Sequence, residues 1–252
     1  MTLLQRIHYV WLRVGLFLLV AMPVAALLTF RAQGLPADTF IDTDQVRVTS
    51  DDSAWRFMPA AGSDARIIIL PGCPVEARAY APLARQLALA GIGALVVKTP
   101  LRCAPLPSHQ AALRGSVGEL LASCGSCRWF LAGHSRGAVH ALEMAAVMAD
   151  RLAGLLLLGT THPRERDFAR LALPMIKMAA SRDGVATLEA SRQNRHLLPT
   201  SLQWREIDGG NHSQFAYYGF QLFDRRATIS REEQHRQIVR YAQAFVGAPT
   251  PP

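Results

Sequence analysis

Residues 129–148 read WFLAGHSRGAVHALEMAAVM, and this stretch decides the fold. An apolar run at 129–132 ends at Gly133-His134-Ser135-Arg136-Gly137, and a helical pattern begins directly after it at Ala138. A G-x-S-x-G placed between a buried strand and a helix predicts a sharp turn that presents a reactive serine. Glycines suit both flanking positions, because the serine backbone is strained and the strand and helix must approach closely. The alternative is an ordinary glycine-rich turn.

The alternation of strand and helix continues on both sides of this turn. Apolar strands that alternate with helices form a parallel sheet covered on both faces. Residues 46–49 and 53–58 alternate around Ser50-Asp51-Asp52, which predicts an antiparallel hairpin. We therefore predict an α/β fold with a mostly parallel, doubly wound sheet and an N-terminal hairpin, in one domain at 45–247. The other predicted strands lie at 66–70, 92–97, 129–133, 154–159, 173–179 and 203–207, and the helices at 76–90, 109–123, 137–150, 185–194 and 230–246.

A serine hydroxyl is a weak nucleophile, so Ser135 requires a base, and the base requires an acid that orients it. In this architecture the acid and the base follow the serine in the chain. Asp183 comes just after the strand at 173–179, and His212 comes just after the strand at 203–207. Both residues then lie at the same edge of the sheet as the serine. We predict Ser135, Asp183 and His212 as the catalytic residues.

Each partner of the serine has an alternative interpretation. Asp183 precedes a glycine and is compatible with an ordinary turn. Asp208 is the competing acid, although it lies too near His212 along the chain to reach round its ring comfortably. His212 is also compatible with a solvated loop histidine, and His134 is expected to pack inside the turn.

Two backbone N–H groups are expected to bind the developing oxyanion. One belongs to Arg136, the residue after the serine, and the other to the loop after the strand at 66–70. That loop is Pro71-Gly72-Cys73-Pro74, and its prolines have no N–H. Cys73 is therefore the predicted second donor. Its thiol as a nucleophile is the alternative, but no base is paired with it in the sequence.

Val14 to Phe30 contains no charged residue, which predicts that residues 1–32 form a membrane segment. An uncleaved signal-anchor helix is favoured over a cleaved signal peptide because the apolar run is long; a buried core helix is a further alternative. Arg6 and Arg13 before the run outweigh Arg31 after it. The positive-inside rule then places the rest of the chain outside the cytoplasm, at the membrane surface or, after cleavage, secreted.

Composition narrows the remaining classes. Of 252 residues, 50% are apolar and 18% are charged, which excludes a disordered chain. The net charge of +8 is scattered without a basic block, so we expect no nucleic-acid partner. The spacing of the four cysteines suits no zinc site, and we expect neither a metal nor a cofactor. Cys124 and Cys127 form either a structural disulfide or two free thiols, and Cys73 and Cys103 follow strands predicted to be adjacent, so that they could bridge.

Five segments together carry a resemblance to a known family: LPGCPVEARAYAPLARQLA, FLAGHSRG, ASRDG, GGNHSQFAYYG and ATISREEQ. The sequence resembles the α/β-hydrolase superfamily, and more closely its small bacterial branch called α/β hydrolase fold-5, related to the dienelactone-hydrolase-like enzymes. The resemblance runs from the hairpin at 46–58 to the helix at 230–246. It implies the α/β-hydrolase fold and a Ser-Asp-His triad at Ser135, Asp183 and His212. An N-terminal membrane segment is also common in this branch.

Three features depart from the family pattern. Arg136 is bulky where a smaller or apolar residue is usual, so its side chain could crowd the site. The nucleophile is a serine, whereas dienelactone hydrolases use a cysteine, which argues against that activity. The segment after the strand at 154–159 is short, so a large lid is not expected.

The function that follows is that of an esterase-like serine hydrolase, cleaving an ester, thioester or amide of a small-molecule acyl substrate through an acyl-enzyme. Two other interpretations stay open. An acyltransferase would use the same triad with a different acceptor, and a non-catalytic protein of this fold would bind a partner at the cell envelope.

Overall fold

The structure, a computed structural model, describes residues 2–248. Met1 of the predicted membrane segment and residues 249–252 of the proline-rich tail therefore lie outside the described residues. Strands and helices alternate along most of the chain, joined by short 3₁₀ turns. The strands are β1 (Val46–Ser50), β2 (Ala54–Pro59), β3 (Ala65–Leu70), β4 (Gly93–Val97), β5 (Arg128–His134), β6 (Gly154–Leu158), β7 (Met175–Ala180) and β8 (Gln203–Ile207), and the helices are α1 (Leu3–Thr29), α2 (Ala81–Leu89), α3 (Pro107–Ala122), α4 (Arg136–Met148), α5 (Leu188–Gln193) and α6 (Arg231–Val246).

All these strands belong to one sheet, in the order β1-β2-β4-β3-β5-β6-β7-β8. β1 and β2 pair antiparallel, as do β2 and β4, and every other neighbouring pair is parallel. The predicted fold, a mostly parallel sheet with an N-terminal antiparallel hairpin, is confirmed. The loops after β3, β5, β7 and β8 meet at the carboxyl edge of the sheet, where ligands bind in open α/β sheets.

The core forms two apolar layers, one on each face of the sheet. One layer packs the sheet against α2 and α6 through residues such as Leu83 and Phe245. The other packs it against α3 and α4 through residues such as Val117 and Leu142. β4, β6 and β7 are buried along their whole length, which explains why their sequences are apolar without alternation.

Several element boundaries differ from the sequence expectation, and two of these differences have clear local reasons. β7 begins at Met175 rather than Leu173, because Pro174 has no N–H to donate to a neighbouring strand. α5 begins at Leu188 rather than 185, because Thr187 caps it: the Thr187 hydroxyl accepts a hydrogen bond from the Ala190 N–H at 3.3 Å.

α1 is long and apolar enough to cross a membrane, with a mean hydropathy of 2.1. None of its residues is buried, so it is not a core helix of the sheet domain. Its C-terminal end does contact the body of the molecule, where the Gly219 N–H donates to the Thr29 carbonyl at 2.8 Å. Residues 31–45 then lead to β1 without a further helix or strand.

All four cysteines are paired in disulfides. One bridge joins Cys124 to Cys127, just before β5. The other joins Cys73 to Cys103 and links the loop after β3 to the loop after β4. Because β3 and β4 are parallel neighbours in the sheet, the two loops emerge side by side, as the sequence predicted.

Candidate active site

Ser135 lies at a sharp turn between β5 and α4. Its backbone has φ 52° and ψ −117°, and residues other than glycine rarely adopt a positive φ of this kind. The Ser135 N–H donates to the Leu158 carbonyl at 3.0 Å, which ties the turn to β6. The serine is half-buried, so its side chain is held by the fold and remains accessible. Such strain persists only where surrounding contacts enforce it, and it is typical of functional positions.

The glycines on either side are required by close packing. A Cβ at Gly133 would lie 2.4 Å from the Gly137 carbonyl oxygen, and a Cβ at Gly137 would lie 2.2 Å from the Leu70 carbonyl oxygen. Both distances are far below contact, so a larger residue would push α4 away from the sheet. The side chain of Arg136, between them, is exposed. It also forms part of the lining of a cleft described below.

Asp183 and His212 form a buried pair at the same edge of the sheet. The Nδ1 atom of His212 lies 2.8 Å from Oδ2 of Asp183, and each side chain is almost fully buried. Since an ionised carboxylate only accepts hydrogen bonds, Nδ1 carries the proton and Nε2 is left as an acceptor. The other oxygen of Asp183 accepts from the N–H groups of Val185 and Ala186, which stabilise its negative charge.

Asp208, the competing acid, is placed elsewhere. It is exposed, and its carboxylate accepts a hydrogen bond from the Ser181 hydroxyl at 2.9 Å. The structure therefore brings Asp183, and not Asp208, to the histidine ring.

The His134 ring packs against the rings of two residues in the segment after β8. Its centroid lies 4.6 Å from the ring of His212 and 5.1 Å from the ring of Phe215. Because His134 directly precedes Ser135, this contact brings the histidine loop to the turn that carries the serine. Burial lowers the pKa of His134 well below its usual value, and the nearby charge of His212 lowers the pKa further. The ring is therefore neutral.

Tyr80 joins His134 to the loop after β3. Its hydroxyl lies 2.6 Å from Nδ1 of His134 and accepts a hydrogen bond from the Gly72 N–H at 2.8 Å. The N–H of Gly72 is thus occupied, whereas that of Cys73 donates to no protein atom among residues 2–248. The Arg136 N–H is likewise unengaged within that range. Both N–H groups that the sequence predicted as oxyanion donors are therefore without a protein acceptor in that range.

Asp224 is a buried residue that sequence analysis missed. Its Oδ1 atom accepts from the N–H groups of Gly184 and His212, at 3.1 and 3.3 Å. Its Oδ2 atom accepts from the N–H and the hydroxyl of Ser213, at 2.8 and 2.7 Å. Asp224 therefore holds the loop of the acid and the loop of the histidine together. No local pattern reveals this role, because it depends on contacts between segments far apart in the chain.

Gln234 of α6 is hydrogen-bonded to the same histidine loop at Asn211. It is fully buried, its Oε1 atom accepts from the Asn211 N–H at 3.0 Å, and its Nε2 atom donates to the Asn211 carbonyl at 2.9 Å. The backbone before His212 is thereby fixed on both its donor and its acceptor. Gln234 belongs to the ATISREEQ segment, where its residue type alone does not indicate a contact.

Two clefts adjoin these residues. One of about 390 Å³ lies on the Arg136 side and is lined partly by Val139, His162, Arg164 and Phe168. The other, of about 550 Å³, lies on the Asp183 side, next to Thr187 and Arg225. The first includes Arg136, the residue that follows the serine, but the lining of neither cleft includes Ser135 or His212. Within residues 2–248, no cluster of three or more His, Cys, Asp or Glu side chains is placed to hold a metal ion.

Comparison with known proteins agrees with the observed fold. Residues 66–236 match the model of the Alpha/beta hydrolase family. No curated protein sequence matches the chain.

Several solved structures share the fold at low sequence identity. TT1662 from Thermus thermophilus superposes with a TM-score of 0.60 at 15% identity and covers 81% of this chain and 99% of that one. A monoacylglycerol lipase from Paleococcus ferrophilus gives 0.58 at 14%, covering 76% and 99%. A predicted CIB-like hydrolase from Thermoplasma acidophilum gives 0.60 at 12%, covering 79% and 99%.

Proposed function

This chain belongs to the alpha/beta hydrolase family, and on that basis we propose that it is a serine hydrolase that cleaves an acyl ester, thioester or amide through an acyl-enzyme. The single observation that carries the proposal is the buried Asp183–His212 hydrogen bond, whose histidine ring contacts the residue before a serine in a strained backbone conformation. A nucleophile, a base and an orienting acid in this order are the parts that covalent acyl transfer requires.

In the proposed mechanism, Oγ of Ser135 attacks the carbonyl carbon of the substrate while Nε2 of His212 accepts the hydroxyl proton. The carbonyl π electrons move to oxygen and form a tetrahedral oxyanion. Collapse of this intermediate expels the leaving group, which takes the proton from His212, and leaves an acyl-serine. Water then repeats the sequence, releases the acid and restores the serine. Asp183 fixes the tautomer of His212 and stabilises its positive form.

The oxyanion is proposed to bind the N–H groups of Cys73 and Arg136. Both are free of protein acceptors within the described chain, and they flank Ser135 from the loop after β3 and from the start of α4. Preorganised donors of this kind contribute about 3 kcal/mol each to transition-state stabilisation. The third candidate in the loop, Gly72, has its N–H committed to Tyr80.

We further propose that residues 1–32 anchor the enzyme in a membrane and that a hydrolase domain at 45–247 lies outside the cytoplasm. The exposed apolar helix α1 and the charge bias of Arg6 and Arg13 support this arrangement. The two disulfides support it as well, because disulfides persist in oxidising compartments.

A fluorophosphonate probe, which reacts with activated serines, tests the mechanism together with turnover of a soluble short-chain ester. Ser135→Ala is expected to abolish both signals, and His212→Ala to reduce turnover almost as far because the serine loses its base. Asp183→Asn is expected to lower turnover by a smaller factor, of about 10³ to 10⁴.

Asp208→Asn is the matched control, since Asp208 is an acid of the same edge that does not contact His212. It is expected to retain wild-type labelling and turnover. Wild-type esterase activity in Ser135→Ala would refute the proposed nucleophile, and labelling without release of the free acid would favour an acyltransferase.

A further inference from the structure

The end of α1 is bonded to the loop that follows His212. The Gly219 N–H donates to the Thr29 carbonyl at 2.8 Å, and the Gln33 N–H donates to the Tyr217 carbonyl at 3.0 Å. The ring of Phe30 stacks on that of Tyr218 at 5.7 Å between centroids. The end of α1 is therefore not joined to the domain by a flexible linker alone. It has a fixed position beside the loop that follows His212.

This junction sets the level of the membrane surface on the domain. The uncharged run ends at Phe30, and Arg31 is the first charged residue beyond it. A spanning segment leaves the hydrocarbon region where its apolar run ends, so Thr29 and Phe30 lie close to the surface of the leaflet on the domain side. Gly219 is hydrogen-bonded to Thr29 and lies at the same level.

The residues that follow Gly219 expose large apolar side chains at this level. Phe220, Leu222 and Phe223 have 55%, 70% and 81% of their surface exposed. We name Phe220–Phe223 the apolar loop. Successive Cα atoms are about 3.8 Å apart, so the whole loop lies within reach of the membrane surface at Thr29. A cluster of exposed aromatic and aliphatic side chains in that position is suited to the interfacial region of a bilayer.

Charged residues around the apolar loop fit the same surface. Arg225 and Arg226 follow it after Asp224, and Arg31 follows the end of α1; all three side chains are exposed. An arginine near a membrane surface can lay its apolar stem against the interface and keep its charged end among the head groups. The adjacent Asp224, by contrast, turns inward and is buried in its contacts with His212 and Ser213.

The apolar loop is also connected to both sides of the candidate active site. Asp224, its next residue, bonds the backbone of His212. On the oxyanion side, the Glu76 N–H donates to the Phe30 carbonyl at 2.9 Å, and Glu76 lies only a few residues beyond Cys73. The membrane surface, the histidine loop and the oxyanion loop thus meet at the end of α1.

We propose that the apolar loop seats in the leaflet entered by α1 and that the substrate of the neighbouring site is an acyl ester drawn from that bilayer. The proposal rests on the proposed hydrolase function. The acyl chain of a membrane lipid would pass from the leaflet along the apolar loop, and its ester carbonyl would reach Ser135 without the lipid crossing bulk water. The apolar loop thus binds the bilayer, and the reaction is the ester hydrolysis described above.

The test compares two fluorogenic esters with one leaving group, on the full chain reconstituted in phosphatidylcholine vesicles. Methylumbelliferyl oleate reports hydrolysis of a bilayer-resident ester, and methylumbelliferyl butyrate reports hydrolysis of a soluble one. A Phe220→Ser/Leu222→Ser variant is expected to lower the oleate-to-butyrate rate ratio about tenfold, because two apolar side chains no longer enter the interface.

Leu89→Ser/Val147→Ser is the matched control. These two apolar side chains are also exposed, at 51% and 69%, but they lie near the ends of α2 and α4, at the opposite edge of the sheet. Their replacement is expected to leave the ratio at the wild-type value. An unchanged oleate-to-butyrate ratio in the apolar-loop variant would overturn the proposal. If that variant also changed its oligomeric state, the loop would instead be a contact between copies of this chain.

A second readout does not depend on catalysis. Tryptophan introduced as Leu222→Trp is expected to be quenched by brominated lipids in the vesicles, relative to the wild-type chain, and Val147→Trp is not. Absence of quenching at position 222 would overturn the membrane seat. Absence of any hydrolysis and of fluorophosphonate labelling in the wild-type chain would refute the proposed function, which distinguishes the two failures.

Discussion

Tyr80 connects the loop after β3 to the segment that carries Ser135, through one hydroxyl group. Burial raises the pKa of Tyr80, so the hydroxyl keeps its proton. It accepts a hydrogen bond from the Gly72 N–H and donates its proton to Nδ1 of the neutral His134 ring, whose Nε2 atom has no partner among the described residues. These two buried hydrogen bonds fix the position of the Gly72 backbone relative to His134.

Tyr80→Phe is therefore expected to lower kcat for a soluble ester about tenfold, with a smaller effect on KM, since the loss falls on the position of the oxyanion loop. The free energy of unfolding is expected to fall by about 2 kcal/mol, because the Gly72 N–H is left buried without a partner. Tyr217→Phe is the control: its hydroxyl bonds Glu232, away from Ser135. Wild-type kcat in Tyr80→Phe would show that the loop does not depend on this contact.

At the same scale, residue types and chain order predicted Asp183, His212 and the N–H of Cys73 as site candidates, and the structure brings the first two together. Asp224 and Tyr80 were not predicted. The contacts between Tyr80 and His134 span 54 residues, and those between Asp224 and Gly184 span 40. Their residue types do not predict these contacts, because tyrosine and aspartate are also common in turns and helices where they make no such hydrogen bonds.

Among the elements, the Cys73–Cys103 bridge acts on the loop that supplies a proposed oxyanion donor. The loop around Cys103 contains Leu101, Arg102 and Ala104, all with left-handed backbone angles. Such residues return to extended conformations when nothing holds them. The bridge therefore restrains both loops at the edge where the substrate would bind.

Cys103→Ser is expected to lower kcat about tenfold and to reduce the free energy of unfolding by about 3 kcal/mol, as expected for loss of a cross-link between residues 30 apart in sequence. Cys124→Ser is the matched control. Its bridge spans only 3 residues and precedes β5, at the opposite edge of the sheet. Dithiothreitol is expected to lower kcat of the wild type and of Cys124→Ser about tenfold, and to leave that of Cys103→Ser unchanged. Equal kcat in all variants would contradict this role.

Elements were the best predicted level of the structure. Continuous apolar runs at β3, β4 and β6 left no alternative to buried parallel strands, and their order along the chain fixed their helices to both faces. The junction between α1 and the Gly219 segment was not predicted. It combines backbone hydrogen bonds with the Phe30–Tyr218 ring contact, and both join segments far apart in the chain, so no local pattern in the sequence predicts it.

For the whole molecule, buried histidines couple stability to pH. Burial, and secondly the charge of Arg231, lower the pKa of His235 from 6.5 to about 3. Below pH 6.5, His235 binds a proton in the unfolded chain but stays neutral in the folded chain until the pH approaches 3. The free energy of unfolding therefore falls as the pH drops from 6.5 toward 3, and the contribution is flat above that range.

Between about pH 7.5 and about pH 5, this residue alone is expected to remove about 2 kcal/mol from the free energy of unfolding. Denaturant midpoints of the full chain in detergent, measured at both pH values, check the effect. His235→Leu should show a smaller difference between them, whereas His196→Leu, which alters an exposed ring, should keep the wild-type difference. Equal pH dependence in both variants would exclude His235 as a source.

The orientation of the whole chain in the membrane is tested by reporter fusions at the C-terminus. The positive-inside bias of Arg6 and Arg13 predicts an active alkaline phosphatase fusion, which requires export. A fluorescent cytoplasmic fusion without membrane association would contradict the proposed topology.

The bonded junction between Thr29 and Gly219 also determines how such an enzyme would meet its substrate. A catalytic domain on a long flexible tether samples a volume above the bilayer, whereas one fixed at the root of its anchor samples only the lipids that diffuse past it in the plane. Its turnover would then follow the mole fraction of substrate in the leaflet, and dilution of the bulk solution would leave the rate unchanged. Diluting the substrate with inert lipid would lower it, which is the kinetic behaviour of a reaction confined to two dimensions.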